Sequence, residues 1–269
     1  MEFRSLKYPK VPAILRVMFR FDLHIHSCLS PCGDLDASPL ALARRAKDVG
    51  LHGIMLADHN SSRNCPALAV ACRRLDLACL FGMEVTTAEE VHCLAVFDTL
   101  AQAADLTEQV YAALPKRKNA PEIYGPQAVV TVDEEIEELE PHLLSAPTRL
   151  TIHEAGQRIH ALGGLFIAAH IDRTVFSITS QLGSLAGDEG FDAVELTRFA
   201  DLEVWREKTQ GLPIIRSSDA HHPDQIGTQW TEAALNAFST SELKRVFSSH
   251  ALSWGSATHA AARVIQPLP

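Results

Sequence analysis

The sequence predicts an α/β fold in which parallel strands alternate with helices, and two observations lead to this prediction. Seven short apolar runs are spread along the chain, and segments with helix-capping signals lie between several of them. Runs that are apolar throughout are typical of strands buried on both faces, as in parallel sheets. Strands that alternate with helices favour an α/β fold.

The predicted strands each contain, or lead into, a residue of metal-binding type. The first ends in His-Ile-His, and the second leads into Asp58-His59. The carboxyl ends of parallel strands meet at one mouth in a barrel, where barrel enzymes place their catalytic groups. We therefore expect these polar residues to converge. The seven strands are residues 17–26, 53–57, 80–85, 91–97, 165–169, 193–196 and 213–216.

Helix-capping signals predict the intervening helices. Ser38 is a suitable N-cap before Pro39, and Gly50 is a suitable stop, so one helix is expected between them. Capping boxes are expected to open two later helices. The other predicted helices are residues 65–75, residues 98–114, one from Thr151 and Glu154 to Gly163, and one from Ser239 and Glu242 through Phe247.

We expect one domain over residues 1–269, with an insertion at residues 98–150. The chain is long enough for one large α/β domain or two small ones. Residues 98–150 break the strand–helix rhythm, and residues 133–140 are strongly acidic. This insertion is expected either to cover the mouth of a site or to be a solvated surface excursion.

Charge and hydropathy limit the classes of partner and the location. The net charge is −9, so no broad basic surface and no stable binding of duplex nucleic acid is expected. No apolar run approaches the length of a transmembrane helix, and residues 1–20 lack the pattern of a signal peptide. Six cysteines in such a chain are expected to be reduced, and the expected location is the cytoplasm.

Nine residues are candidate metal ligands. His24 and His26 are two residues apart on a predicted strand and therefore point to the same side, so they can hold one ion together. Asp219 and His221 repeat this spacing late in the chain. Imidazole and carboxylate ligands suit zinc, manganese or iron rather than calcium. The full set is His24, His26, Asp34, His59, Glu84, His92, His170, Asp219 and His221.

Glu84 can bridge two cations because a carboxylate has two oxygens. Two ions a few ångströms apart can hold a bridging hydroxide and clamp a phosphoryl group. Each of these signals is weak alone, since a single histidine at a strand end is often structural. Their recurrence in order at five strand ends favours a functional cluster.

The chain resembles the PHP (polymerase and histidinol phosphatase) family of metal-dependent phosphoesterases. The resemblance implies a distorted (β/α)7 TIM-like barrel, two or three divalent ions and hydrolysis of phosphate esters. It is carried by Asp22-Leu23-His24-Ile25-His26-Ser27, Ala57-Asp58-His59-Asn60, Gly82-Met83-Glu84, Ala169-His170 and Ser218-Asp219-Ala220-His221.

The resemblance also implies how the ligands are shared among the ions. One ion would take His24, His26, Glu84 and Asp219, and a second would take Glu84, His92 and His170. Asp34, His59 and His221 would surround a third ion or act on the substrate. The chain departs from the family after the first motif, where Ser30-Pro31-Cys32-Gly33-Asp34 replaces the usual turn. We take Asp34 as the equivalent ligand, with Cys32 as a soft-ligand alternative.

The expected mechanism is attack on phosphorus by a metal-bridging hydroxide. Glu84 holds the bridge, and His59 or His221 protonates the leaving oxygen. Arg173 and Arg198 follow two predicted strands and can bind the phosphate, although either can also be a plain surface arginine.

The expected substrate is a nucleotide, a short oligonucleotide or a small phosphomonoester. Two alternatives stay open at this point. One is an amidohydrolase-type metal hydrolase that cleaves an amide or lactone on a similar barrel. The other is a metal-stabilised scaffold without catalysis.

Overall fold

A nine-stranded sheet organises the protein, as a computed structural model shows for residues 18–257. The strands, including a separate two-stranded hairpin of β5 and β6, are β1 (Met18–Ile25), β2 (Gly53–Leu56), β3 (Ala78–Thr86), β4 (His92–Phe97), β5 (Ala128–Val130), β6 (Ile136–Leu139), β7 (Leu165–Ala168), β8 (Ala193–Glu195), β9 (Ile214–Ile215), β10 (Trp230–Ala234) and β11 (Leu252–Gly255). Val17, the expected start of the first strand, lies outside the described residues. The same holds for most of residues 1–20, in which no signal peptide is expected.

Eight α-helices are present in the part of the chain that the structure describes. They are α1 (Pro39–Asp48), α2 (Cys65–Leu75), α3 (Leu100–Ala113), α4 (Pro121–Tyr124), α5 (Ile152–Ala161), α6 (Ile178–Leu182), α7 (Leu202–Arg206) and α8 (Thr240–Ser248). Within residues 18–257, none is both long and apolar enough to cross a membrane.

The capping signals identify the starts of the long helices correctly, with one difference in detail. The Ser38 hydroxyl accepts a hydrogen bond from the Ala41 amide at the start of α1, and Thr151 and Glu154 form the predicted capping box of α5. Ser239 caps α8, but the reciprocal half of its box is missing. The Glu242 carboxylate instead accepts hydrogen bonds from Asn236 and Arg245.

The sheet has the order β11-β10-β1-β2-β3-β4-β7-β8-β9 and is not parallel throughout. Strands β1, β2 and β3 are parallel, as are β7, β8 and β9, but β4 runs antiparallel to both β3 and β7. The prediction of parallel strands is wrong for β4. Only five residues join β3 to β4, and a parallel crossover needs a dozen or more. As a result, the first residue of β4, His92, lies at the same end of the sheet as the last residues of its antiparallel neighbours β3 and β7.

The two edges of the sheet approach each other, so the sheet is a nearly closed barrel. The indole N–H of Trp254 on β11 donates to the carbonyl of Ile214 on β9, with an N···O distance of 3.2 Å. Beyond β9, the Ala220 carbonyl accepts a hydrogen bond of 2.8 Å from the His26 amide at the end of β1. The predicted barrel-type α/β fold is confirmed.

Buried apolar side chains form two main clusters on the strands. The larger cluster lies between the sheet and the helices α1, α2, α3 and α5, and it includes Leu42, Leu68 and Ile159. The second joins strand residues such as Phe21 and Ile167 to α8. Both clusters hold the strands in a fixed register, which fixes the positions of the residues at their ends.

Buried amide side chains attach residues 98–150 to the barrel. Asn60 donates to the carbonyls of Leu144 (2.7 Å) and Ala146 (3.0 Å), and its own side-chain oxygen accepts from the Thr86 amide (3.0 Å). Asn64 connects in the same way to the hairpin through Ala128 and Val130. Since the side chains of Asn60 and Asn64 are fully buried, these hydrogen bonds hold residues 98–150 against the barrel.

Replacement of Asn60 by Ala is expected to destabilise the protein by about 2–4 kcal/mol. The change leaves one buried N–H and two buried carbonyls without partners, and each such group costs about 1–3 kcal/mol before relaxation. Asn60 also has a φ of 52°, which Asn tolerates better than Ala. Urea unfolding of the variant measures the loss. The matched control is Asn236→Ala, at an exposed position, and an equal loss in both variants would contradict this account.

Candidate metal centre

Glu84, near the end of β3, lies at the centre of a buried cluster of five imidazoles. Its carboxylate is 1% exposed and has no cationic side chain of Lys or Arg beside it among the described contacts. Two of the five histidines lie on strands β1 and β4, and the other three follow the ends of β1, β2 and β7. The distances to Glu84 oxygens are 3.0 Å from His92 Nδ1, 3.1 Å from His170 Nε2, 3.1 Å from His59 Nδ1, 3.3 Å from His24 Nε2 and 3.5 Å from His26 Nε2.

One group of donors comes from two segments that lie far apart in the sequence, the end of β1 and the loop after β9. The Nε2 atoms of His24 and His26 are 3.1 Å apart, and Asp219 Oδ1 lies 3.3 Å and 3.2 Å from them. The same two histidines also converge with Glu84, so each of the two carboxylates approaches this pair of nitrogens. These are the four residues that the resemblance implies for one ion, and the structure brings them together.

A second group of donors approaches Glu84 from β4 and from the loop after β7. His92 and His170 both approach Oε1, as expected for a second ion. His59 approaches Oε2 and can join His92 and Glu84 in a set of three. His59 also converges with His26 and Cys32, so the structure places it between this group and the turn after β1.

The donor atoms are arranged to bind cations rather than to form hydrogen bonds with one another. The Nδ1 atoms of His59 and His92 are buried and make no hydrogen bond, although each lies within 3.1 Å of a Glu84 oxygen. Buried polar atoms rarely remain unpaired, and burying carboxylates without a counter-charge is costly. Divalent ions shared by nitrogens and carboxylates would satisfy both demands.

The electrostatics of the cluster keep its carboxylates ionised. Burial alone would raise the pKa of Glu84, but the nearby His92, His24 and His59 outweigh it and hold that pKa well below its ordinary value. The pKa of Asp219 is lowered in the same way, since His24 and His26 outweigh its burial. An ionised carboxylate is the form that binds a metal ion.

His24 and His26 are shifted in opposite directions. Burial lowers the pKa of His24, but Asp219, Glu195 and Glu84 together raise it well above its ordinary value. Burial and the neighbouring His221 hold the pKa of His26 well below its ordinary value, so this imidazole is neutral. The carboxylates thus draw a proton onto His24, and a divalent cation would supply that positive charge instead.

Two buried aspartates next to the ligands organise the backbone rather than face the cluster. Asp22 accepts hydrogen bonds from the amides of His24 (3.1 Å) and Ser218 (3.2 Å), and burial raises its pKa to about 7. Asp58 accepts from the Ser27 amide and from the Ser30 hydroxyl, both at 2.7 Å. Each aspartate therefore ties one ligand-bearing segment to another.

Backbone strain marks two of the candidate ligands. His170 has a φ of 29° and Asp219 a φ of 50°, in the left-handed region that side-chain-bearing residues seldom adopt. Such conformations cost about 1–3 kcal/mol and persist where the surroundings impose them, often at functional sites. In these conformations the His170 side chain reaches Glu84, and the Asp219 carboxylate reaches His24 and His26.

Glu195, at the end of β8, is a site residue that the ligand pattern did not identify. Its Oε2 lies 2.8 Å from Nδ1 of His24 and accepts a hydrogen bond of 3.1 Å from the His170 amide. A carboxylate on the far nitrogen of a metal-binding imidazole fixes its tautomer and orientation. The available signal was an acidic residue at the end of a buried strand.

Cys32, not Asp34, reaches the cluster from the turn after β1. The Asp34 carboxylate accepts a hydrogen bond from the Asp36 amide (3.1 Å) at an exposed position. Asp34 is absent from every group of converging donors in residues 18–257, whereas Cys32 groups with His26 and His59. In this turn Gly33 packs against the Ser27 carbonyl so closely that only a glycine fits, and Asp34, which follows it, is exposed.

His221 lies at the border between the cluster and solvent. Its ring stacks on His26 with centroids 4.3 Å apart, and its Nδ1 donates to the Asp219 carbonyl (2.8 Å). Its side chain is 29% exposed, the largest value among the clustered histidines. Its other ring nitrogen is therefore available to a ligand or an ion.

A pocket of about 810 Å³ opens beside the cluster. Both arginines that were predicted to bind substrate line it, next to His170, Asp219 and His221. Arg173 forms an ion pair with Asp219, and the Arg198 guanidinium lies over the ring of the exposed Phe199. The pocket therefore combines metal-binding groups with two cationic side chains.

Residues 22–135 match the family model of the PHP domain, and no curated protein matches the chain in sequence. The lesion-specific endonuclease PfuEndoQ of Pyrococcus furiosus shares the fold with a TM-score of 0.64 and 20% identity, over 87% of this chain and 56% of its own. A proposed metal-dependent phosphoesterase of Bifidobacterium adolescentis has a TM-score of 0.56 and 20% identity, over 87% and 96%. An amidohydrolase of Chromobacterium violaceum, with bound sulfate and no metal, has a TM-score of 0.51 and 17% identity, over 87% and 97%.

The structural likeness shows a common fold, and the family match supports a metal-dependent hydrolase. The chain spans little more than half the length of the endonuclease from Pyrococcus furiosus. The reaction of that larger protein is therefore not transferred to this chain by the comparison.

Replacement of Glu195 by Gln is expected to weaken metal binding about 10–100-fold, as loss of a carboxylate behind a metal-binding histidine does elsewhere. The variant keeps its shape but no longer holds His24 in the same tautomer. Titration of the chelator-treated protein with Mn²⁺ measures the change. Glu203→Gln, at an exposed position on α7, is the control. Equal affinity in both variants would show that Glu195 does not orient His24.

Proposed function

Since the match over residues 22–135 confirms the resemblance to the PHP family, we propose that the protein is a metal-dependent phosphoesterase. The observation that carries this proposal is the convergence of buried histidines and carboxylates on Glu84, beside a pocket that contains two arginines. The proposed ligands are His24, His26, His59, Glu84, His92, His170 and Asp219, with His221 at the border.

Zinc, manganese or iron ions held by these residues would lower the pKa of water toward ~7 and neutralise charge on the phosphoryl oxygens. Glu84 is the residue that can serve two ions, because its carboxylate has two oxygens and each of them lies beside histidines of both groups. Asp22, Asp58 and Glu195 hold the ligand-bearing segments in place, so little rearrangement is required on binding.

Arg173 and Arg198 are proposed to bind the phosphate. The planar guanidinium group pairs with phosphate oxygens through two parallel hydrogen bonds. Arg198 is free to do so because its only described close contact is the ring of Phe199. Arg173 pairs with Asp219 and would have to share or exchange that partner when a phosphate enters.

His221 is the better candidate for the proton donor to the leaving oxygen. His59 is buried against Glu84, whereas His221 lines the pocket and has one ring nitrogen turned away from its carbonyl partner. Burial lowers the pKa of His221, but the neighbouring Cys32 and Asp219 raise it above its ordinary value, which favours the protonated form that a general acid needs.

The proposed substrates are nucleotides, short oligonucleotides or small phosphomonoesters. The net charge of −9 disfavours extended duplex binding, and the pocket holds a limited number of cationic groups. Cleavage of amides or lactones is the competing reaction, and a non-catalytic scaffold is the second alternative. A panel of phosphate monoesters, phosphate diesters, amides and lactones distinguishes these three possibilities.

Replacement of Glu84 by Ala is expected to abolish metal binding and hydrolysis together. The change removes the carboxylate that joins the two groups of histidines. Metal analysis and phosphoester turnover, measured on the same preparation, provide the test. Glu108→Gln, at an exposed position on α3, should leave both unchanged. Survival of both metal content and turnover in the Glu84 variant would rule out its bridging role.

Replacement of Arg198 by Ala is expected to raise the KM for phosphate esters about tenfold or more. Hydrogen bonds to charged groups contribute about 1.5–3 kcal/mol, and 1.4 kcal/mol corresponds to a factor of ten. Steady-state kinetics measures the change. The control is Arg206→Ala, which lies outside the pocket on α7. A KM equal to that of the control would remove Arg198 from the substrate site.

A further inference from the structure

We propose that His26, Cys32 and His59 form a mixed nitrogen–sulfur site that binds a zinc ion through a cysteine thiolate. His26 and His59 also face Glu84. Each imidazole can give its metal-facing nitrogen to one ion at a time, so this site competes with its neighbours for them. The inference therefore deepens the proposed function and rests on its metal centre. It does not rest on the reaction. A thiolate ligand gives this chain a soft donor that the other candidate ligands lack.

The donor atoms already converge. One ligand atom from each of His26, Cys32 and His59 lies within 4.8 Å of the other two. His26 and His59 are buried, and the Nδ1 of His59 has no hydrogen-bond partner. Cys32 is exposed at the mouth of the cluster. Three protein ligands with one open side are the arrangement of zinc sites that admit water or substrate.

The turn that carries Cys32 is fixed from both sides. On the inner side, the Ser30 hydroxyl donates to Asp58 (2.7 Å), and the Gly33 amide donates to the Ser30 carbonyl (2.9 Å). On the outer side, the Asp34 amide donates to the His221 carbonyl (3.2 Å). The sulfur is thus held at the cluster by its backbone rather than carried on a free loop.

The insertion supports this turn from behind. The Ala128 amide at the start of β5 donates to the Cys28 carbonyl (2.8 Å), and Gly125 packs against Pro31 so closely that a side chain would not fit. Residues 98–150 therefore contribute to the site indirectly, by positioning the thiol.

The chemistry of sulfur predicts which metal this position prefers. Thiolate ligands select zinc and related soft ions, whereas carboxylates and water suit manganese and magnesium. An aspartate at the same place would suit manganese. Cys32 is therefore expected to shift the preference of this site toward zinc.

Cobalt substitution tests the proposal directly. Co²⁺ replaces zinc in such sites and shows a sulfur-to-cobalt charge-transfer absorption only when a thiolate is bound. The full-length protein, freed of metal and titrated with Co²⁺, is expected to show this band. Cys32→Ser is expected to lose the band and to bind one zinc ion fewer per chain. Cys79→Ser, a cysteine remote from the cluster, should retain both the band and the zinc content.

A second variant separates loss of the ligand from loss of folding. Cys32→Asp is expected to keep the third ion but to lose the band and to bind Mn²⁺ in competition with Zn²⁺ better than the wild type. A wild-type protein without the band, or a Cys32→Ser variant that keeps it, overturns the proposal. The readout is independent of hydrolysis, so phosphoester turnover without the band defeats only this inference, and the band without turnover defeats only the proposed function.

Discussion

The structure depends on the burial of the Glu84 carboxylate among five histidines at one end of the sheet. Removing ionised groups from water costs several kcal/mol each unless they are paired, and no Lys or Arg is described beside Glu84 to pair with it. The arrangement is therefore stable only when protons or metal ions supply positive charge. Every neighbouring element can be understood by how it brings a donor to this carboxylate or keeps one in place.

Strand direction is the first of these contributions. The short connection after β3 forces β4 to run backwards, and this reversal is what brings His92 to the mouth. The closure of the barrel by β9 and Ala220 carries Asp219 to β1, where it meets His24 and His26. The buried carboxylates of Asp22 and Asp58 accept hydrogen bonds from backbone amides and thereby hold these segments together.

The sequence made much of the cluster predictable, because spacing and position are local properties. Two histidines at alternate positions of a strand share a face whatever the rest of the chain does, so His24 and His26 could be paired in advance. Glu84 and Asp219 could be placed with them through their strand ends and the family resemblance. The helices were equally accessible, since caps are local hydrogen bonds.

Features that depend on three-dimensional packing could not be predicted in this way. The direction of β4 does not change its apolar pattern. Glu195 orients His24 from a strand that is distant in the sequence, and only their contact reveals this role. Cys32, rather than Asp34, lies at the cluster because Gly33 packs tightly against the Ser27 carbonyl within the turn. The attachment of residues 98–150 to the barrel through the buried amides of Asn60 and Asn64 likewise appears only in the packed structure.

The most direct test of the central claim is metal analysis of the wild-type protein purified without chelator, followed by a substrate panel with added Mn²⁺. The account predicts two or three divalent ions per chain and turnover of phosphate esters but not of amides or lactones. A folded protein that binds no divalent ion, or one that cleaves amides and leaves phosphate esters intact, would contradict it.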